Sequence, residues 1–298
     1  MIVVTGATGN IGQMVVRRLR EAGAPVVALV RNAVKAKGLL PPDVPLRIGD
    51  YNAPKSLAEA FIGAQSVIFI PSDGEAKAVI NQHANIVSAI SASTVPLTVF
   101  IGIVDIGDHS PFYFAPVYRL TEQMLRDAGL PHSNLRCNLY SEFVRDQFLR
   151  KAFDSGSLQV PWGSGKIAPI SRSDDAEAAI ALVQQPKRQG QTFSLCGPQA
   201  LDGSQLAKLT SHAWHRQIQY VPQPHPEYLN SLRQSDHHPW PHAFSSMSLS
   251  IEQGNYEAVQ DDVNKLLEGD PVEFGAVLSS QLPTTTKGMQ KRKTKHHR

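Results

Sequence analysis

Only two cysteines, Cys137 and Cys196, occur in 298 residues. That is too few for a disulfide scaffold, their spacing fits no metal motif, and a reducing compartment is the natural expectation. No uninterrupted apolar run reaches the ~18 residues of a membrane span. Met1 passes through Ile2-Val3-Val4-Thr5 straight into glycine, too short a run for a signal peptide, so a cytoplasmic location is expected. Acidic residues are missing from Pro283 onward, where Lys287, Lys291, Arg292, Lys293, Lys295 and Arg298 supply six positive charges; without them the overall +3 becomes a formal −3 for residues 1–282. The basicity therefore sits in a polar, low-complexity tail (283–298) expected to be disordered, and a basic nucleic-acid surface on the body is not indicated.

What is present is an apolar share of 42%, enough for a large core. Over residues 1–136 strand-like and helix-like stretches alternate. Strands are predicted at 2–5, 25–30, 46–48, 66–70, 97–101 and 132–136, several of them continuous aliphatic runs of the kind covered on both faces. Between them, Ile11, Val15 and Leu19 recur at helical spacing, as do Val79, His83, Ile86 and Ile90. The alternation predicts an α/β doubly wound parallel sheet of the Rossmann type. After residue 136 the rhythm weakens. Residues 137–282 are expected to form a small α+β part on the substrate side, interleaved with the core. In it a helix is predicted from Asp174 with Ser173 as N-cap, another from about Ser204, and a third over 259–267. The proline- and histidine-rich stretch 222–243 reads as a loop or short-helix lid.

The informative motif is Gly6-Ala7-Thr8-Gly9-Asn10-Ile11-Gly12, directly after a strand and directly before an amphipathic helix. Gly6 permits the tight turn, Gly9 lets backbone approach a pyrophosphate, and Gly12 lets helix pack on strand. The amides of Thr8 to Ile11 and the helix dipole then favour a diphosphate. After the second strand an NAD site usually offers a carboxylate for the ribose. Here Arg31 stands there, with Lys35 one turn on, a pattern that favours a 2′-phosphate and hence NADP(H) over NAD(H). Asp50 and Tyr51 end the third strand, where an adenine ring lies in this architecture. Pro71 and Ser72 end the fourth, towards the nicotinamide half.

These residues resemble the atypical short-chain dehydrogenase/reductases of the NmrA-like branch, which includes NADPH-dependent quinone oxidoreductases and triphenylmethane-type dye reductases. The matching stretches are Val4 to Gly12, Leu29 to Asn32, Gly49 to Tyr51, Gln82 to Asn85, Thr121 to Leu125 and Leu139-Tyr140. The resemblance implies NADPH at the sheet edge, with hydride delivered to a quinone or similar conjugated acceptor. The acceptor would lie in a pocket of Pro71, Ser72, Gly102 and Tyr140 under Trp240 and Phe244. Short-chain dehydrogenases usually carry Tyr-x-x-x-Lys; aligned on Glu122, those positions are Phe114 and Tyr118, so the usual general acid and its lysine are missing. No catalytic residue is assigned. The same loss motivates a second reading, a non-catalytic NADP(H) sensor acting through a protein partner. Relatives tend to have asparagine where Cys137 follows Arg136. Cys137 and Cys196 read as inert, Asp174-Asp175 as a dipole-favoured helix start, and His212 with His215 as a surface pair; no metal is expected.

Overall fold

The computed structural model describes residues 1–185, 190–260 and 262–281. The basic tail (283–298) lies outside the described residues. Six strands follow one another in the first half: β1 (Ile2–Val4), β2 (Val26–Val30), β3 (Leu46–Ile48), β4 (Ser66–Phe69), β5 (Thr98–Ile103) and β6 (His132–Cys137). A seventh, Thr192–Leu195, joins the far side of β6. The sheet order is β3-β2-β1-β4-β5-β6 and then the seventh strand, and every pairing is parallel. This is a Rossmann-type α/β fold. The order reverses between β1 and β4, and that reversal opens a crevice at the carboxyl ends of the strands.

Successive side chains of each strand feed two cores, as a period of two requires. Val4, Ala28 and Ile68 pack with Ile11, Val15 and Leu19 of the first helix (Asn10–Glu21) on one face. Val3, Val27, Leu29 and Val67 pack with Phe61, Ile86 and Ile90 on the other. A third core lies beyond the strand ends, around the fully buried Trp162 and Tyr256. Two small sheets brace it: Lys166–Ile167 pairs antiparallel with Leu201–Asp202, and Ser157–Leu158 pairs parallel with Gln219–Tyr220.

The helices correct three expectations. The helix expected from Asp174 runs Arg172–Gln184, and its cap is Ser171, whose hydroxyl accepts from the Asp174 amide at 3.0 Å; Ser173 is already inside it. The stretch 222–243 is not an irregular lid: it holds the whole helix His225–Ser235 and the first turn of the helix Trp240–Glu252. Its prolines start these helices: Pro226 and Pro241 occupy first-turn positions, where the missing amide has no helical partner to lose. His212 and His215, read as a surface pair at i, i+3 on one helix, are both exposed, but His215 has a left-handed φ of 49° beyond the helix Gly203–Ala213, so the two share no helix face. The third predicted helix spans Asp262–Leu266.

Candidate active site

The glycine loop is built by backbone constraints. Gly6 has φ +56°, and the Gly9 amide closes the turn on the Gly6 carbonyl at 2.9 Å. A Cβ on Gly12 would stand 2.3 Å from the Gly6 oxygen and 2.6 Å from the Ala7 Cα, so nothing larger than glycine fits. The first helical bond runs from the Gln13 amide to the Gly9 carbonyl at 2.9 Å. The amides of Asn10, Ile11 and Gly12 come before it, and Gly9 has no side chain to cap them. Bare donors at the positive end of a twelve-residue helix suit an anion.

From these amides a cavity of about 330 Å³ runs along the crevice to the third core. Of the residues singled out from the sequence, Gly9, Asn10, Ile11, Gly12, Pro71, Ser72, Gly102, Tyr140, Trp240 and Phe244 line it. Gly6, Thr8, Arg31, Lys35, Asp50 and Tyr51 do not. Arg31 and Lys35 are exposed at the end of β2, at the same edge of the sheet as the glycine loop. Tyr51 has a role the sequence does not signal: its hydroxyl accepts the Gly6 amide at 2.8 Å, pinning the loop to the end of β3. Asp50 accepts from the Asn52 amide at 2.9 Å, the local turn bond that competes with any contact to a ligand amine. Asn52 in turn accepts from Gln82 at 3.0 Å, and Gln82 accepts from the Ser72 hydroxyl at 2.5 Å, so a polar chain follows the rim.

The far end of the cavity is aromatic. Trp240 and Phe244 stack at 5.7 Å, Phe143 lies 5.9 Å from Phe244, and Phe114 lies 6.1 Å from Trp240. The helix Trp240–Glu252 that carries this roof is tied to the sheet by Asp105, after β5, which accepts the Ser250 hydroxyl. Flat, apolar walls of this size suit a conjugated ring system.

His83 is buried in the cavity wall, on the helix Ala76–Ala92. Its Nε2 accepts the Ser72 amide at 3.3 Å, so Nδ1 carries the proton and donates to the Thr121 hydroxyl at 2.8 Å. That hydroxyl passes its own proton to the Val117 carbonyl at 2.7 Å. Burial pushes the imidazole down to about 3 from an ordinary 6.5. The unfolded chain therefore takes up this proton near 6.5 while the folded chain refuses it, and the stability from His83 is lost as pH falls through that window. Asp175, raised to about 6 from 3.8, acts in the opposite sense between those two values. The difference between wild type and His83→Asn isolates the histidine. The stability gap at pH 7 should shrink by about 2 kcal/mol at pH 5, read from urea midpoints. A gap that does not change with pH would show that the imidazole is not held neutral.

Sequence reasoning missed Asp175. It is fully buried, its Oδ1 accepts from the Cys137 thiol at 2.9 Å, and its Oδ2 accepts from the Tyr140 hydroxyl at 3.1 Å. Cys137, read from the sequence as inert, faces this carboxyl, and burial first, then Asp175, pushes its thiol well up, away from the reactive thiolate. The Asp174 side chain, in the first turn of the same helix, accepts the Val272 amide at 2.9 Å. Only Asp175's place 38 residues from Cys137 and 35 from Tyr140 brings the three together, and no local motif encodes that. Among the described residues no group of three or more His, Cys, Asp or Glu is placed to hold a metal, and no helix is long and apolar enough to cross a membrane.

A doubly wound sheet with bare amides at its switch point and an apolar pocket beyond defines a dinucleotide-binding fold with an adjoining small-molecule site. The chain belongs to the NmrA-like family, whose profile matches residues 1–274. It is 31% identical over 225 residues to quinone oxidoreductase 2 of Escherichia coli, covering 74% of this chain and 77% of that protein. It is 30% identical over 221 residues to the NAD(P)H azoreductase of Xenophilus azovorans, covering 74% and 76%. The crystal structure of Citrobacter sp. triphenylmethane reductase complexed with NADP(H) superposes with a TM-score of 0.88 at 29% identity, over 95% of this chain and all of that one.

Proposed function

We propose that this protein is an oxidoreductase that uses NADP(H), in preference to NAD(H), to reduce a quinone or a similarly flat conjugated small molecule. One observation carries the reading: a single cavity joins the bare amides of the first helix to the aromatic roof. The amides and the side-chain-free Gly9 suit a diphosphate at one end. Trp240, Phe244 and Phe143 suit a planar acceptor at the other. Pro71, Ser72 and Gly102 line the same cavity, and the nicotinamide and the acceptor would meet beside them.

The bound dinucleotide would supply a hydride. The chain's own work is positioning and exclusion of water. Phe114 and Tyr118 stand where the short-chain dehydrogenase pattern has tyrosine and lysine, and both line the cavity. Burial pushes the Tyr118 hydroxyl up to about 12, and burial first, then Asp175, pushes the Tyr140 hydroxyl well up too, so either gives up a proton only to a strongly basic oxygen. A conjugated acceptor fits such a site better than an isolated ketone, because its electrons delocalise as the hydride arrives.

The test is NADPH oxidation with a panel of quinones and azo dyes, alongside calorimetric binding of NADPH and NADP+. Turnover with at least one conjugated acceptor is expected. Tight binding of both coenzyme forms without any turnover would replace this reading with a dinucleotide sensor acting through a protein partner. Failure to bind either form would end both.

A further inference from the structure

Hydride transfer leaves Asp175 without a task. A lone buried carboxylate is costly, and among the described residues Asp175 takes part in no ion pair. Its two partners, Tyr140 and Cys137, both line the cavity, while the carboxyl lies behind them. When the carboxyl is ionised, each oxygen accepts one proton donor, and the Tyr140 hydroxyl is turned away from the cavity. When it is protonated, its own O–H can serve the Tyr140 oxygen, and the phenolic proton is released towards the cavity. Arg172 lies 5.5 Å over the Tyr140 ring and holds it in place at the cavity wall.

We propose that Tyr140 delivers a proton to the acceptor oxygen, and that Asp175, acting through Tyr140, orients and recharges it. The inference rests on the reductase reading above. The acceptor takes two electrons and one hydrogen as hydride from the reduced dinucleotide, which leaves one acceptor oxygen negative. The Tyr140 O–H bond breaks and an O–H bond forms on that oxygen. The Asp175 O–H bond breaks and restores the tyrosine hydroxyl. Asp175 remains as carboxylate until solvent reprotonates it. Tyr140 is then the catalytic residue and Asp175 a positioning residue behind it.

The surroundings favour the neutral acid. Burial is the largest cause that raises Asp175, to about 6, and the Asp174 and Glu142 charges add to it against the lowering bonds from Cys137 and Tyr140. On its own helix Arg172 and Glu177 complete the charged set. The first helix packed against it brings Arg17, Arg18, Arg20 and Glu21, of which Arg18 bonds Ser173 at 2.8 Å. The helix Asp262–Leu266 brings Asp262 and Lys265, paired with each other at 2.6 Å. From β6 come His132, Arg136 and Cys137, with Arg136 committed to Glu122. β4 and β5 bring no ionisable side chain.

The experiment compares wild type with Tyr140→Phe, Asp175→Asn and Cys137→Ser. In the ligand-free protein, infrared titration should show a carboxylic C=O band that disappears as pH rises through about 6. The band should be missing in Asp175→Asn and shifted in Tyr140→Phe. In turnover with 1,4-benzoquinone, kcat of the wild type should fall as pH rises through the same range. Tyr140→Phe should lower kcat at pH 5.5 by about 100-fold, remove the solvent isotope effect and leave the KM for NADPH unchanged. Asp175→Asn should flatten the pH profile, and Cys137→Ser, which gives Asp175 a stronger donor, should move the midpoint of the profile to lower pH. Tyr140→Phe with the wild-type kcat and profile, or no titrating band, overturns the proposal and leaves the reductase reading intact. A wild type without turnover overturns both.

Discussion

Gly12→Ala should abolish measurable binding of the dinucleotide. The added Cβ would meet two backbone atoms, the Gly6 oxygen at 2.3 Å and the Ala7 Cα at 2.6 Å, and neither can turn aside as a side chain would. Relief comes only by moving the helix away from the loop. That movement costs about 1–3 kcal/mol of stability as overpacking. It also carries the Asn10, Ile11 and Gly12 amides away from the anion they are aimed at, so affinity should fall by at least about 100-fold, the equivalent of roughly 3 kcal/mol. Calorimetry with NADPH and a thermal melt read the two effects separately. Gly269→Ala, where a Cβ would meet nothing within 4 Å, is the control and should change neither. Normal affinity in Gly12→Ala would show that the loop can relax without losing its donors, and the geometric account of the site would fall.

The second large effect concerns coenzyme choice. Arg31 is exposed at the end of β2, at the same edge of the sheet as the glycine loop. Charge-assisted hydrogen bonds from a guanidinium contribute about 1.5–3 kcal/mol, so Arg31→Ala should weaken NADP(H) by about 10- to 100-fold. Arg31→Glu should weaken it further, because a carboxylate repels the 2′-phosphate. NAD(H), which lacks that phosphate, should lose little with alanine. Paired titrations of the two coenzymes measure the ratio directly. An unchanged ratio would remove Arg31 from the phosphate site and with it the assigned preference.

Much of the crevice was readable because its constraints are local. Gly6, Gly9 and Gly12 answer to backbone geometry within seven residues, and the flanking strand and helix announce themselves by their runs and spacing. The aromatic roof was half readable. Trp240 and Phe244 stand out in the sequence, but the prolines around them predict a loop or short-helix lid, whereas they begin two helices. The difference is positional: proline ends a helix from its interior and starts one from its first turn. The Tyr51–Gly6 bond gave no advance sign, since it joins residues 45 apart through a hydroxyl whose direction depends on where β3 ends.

From the amino acids alone follow the parallel α/β sheet, the glycine turn and the cationic end of β2, because each depends on residues close together in the chain. Packing alone put Asp175 behind Tyr140 and Cys137 and set the roof over the pocket. A carboxylate in the first turn of a helix looks like any dipole partner until it is known which face of that helix is turned inward. Only the docking of the helix Arg172–Gln184 on the sheet buries that face, and with it the carboxyl that bonds Tyr140 and Cys137.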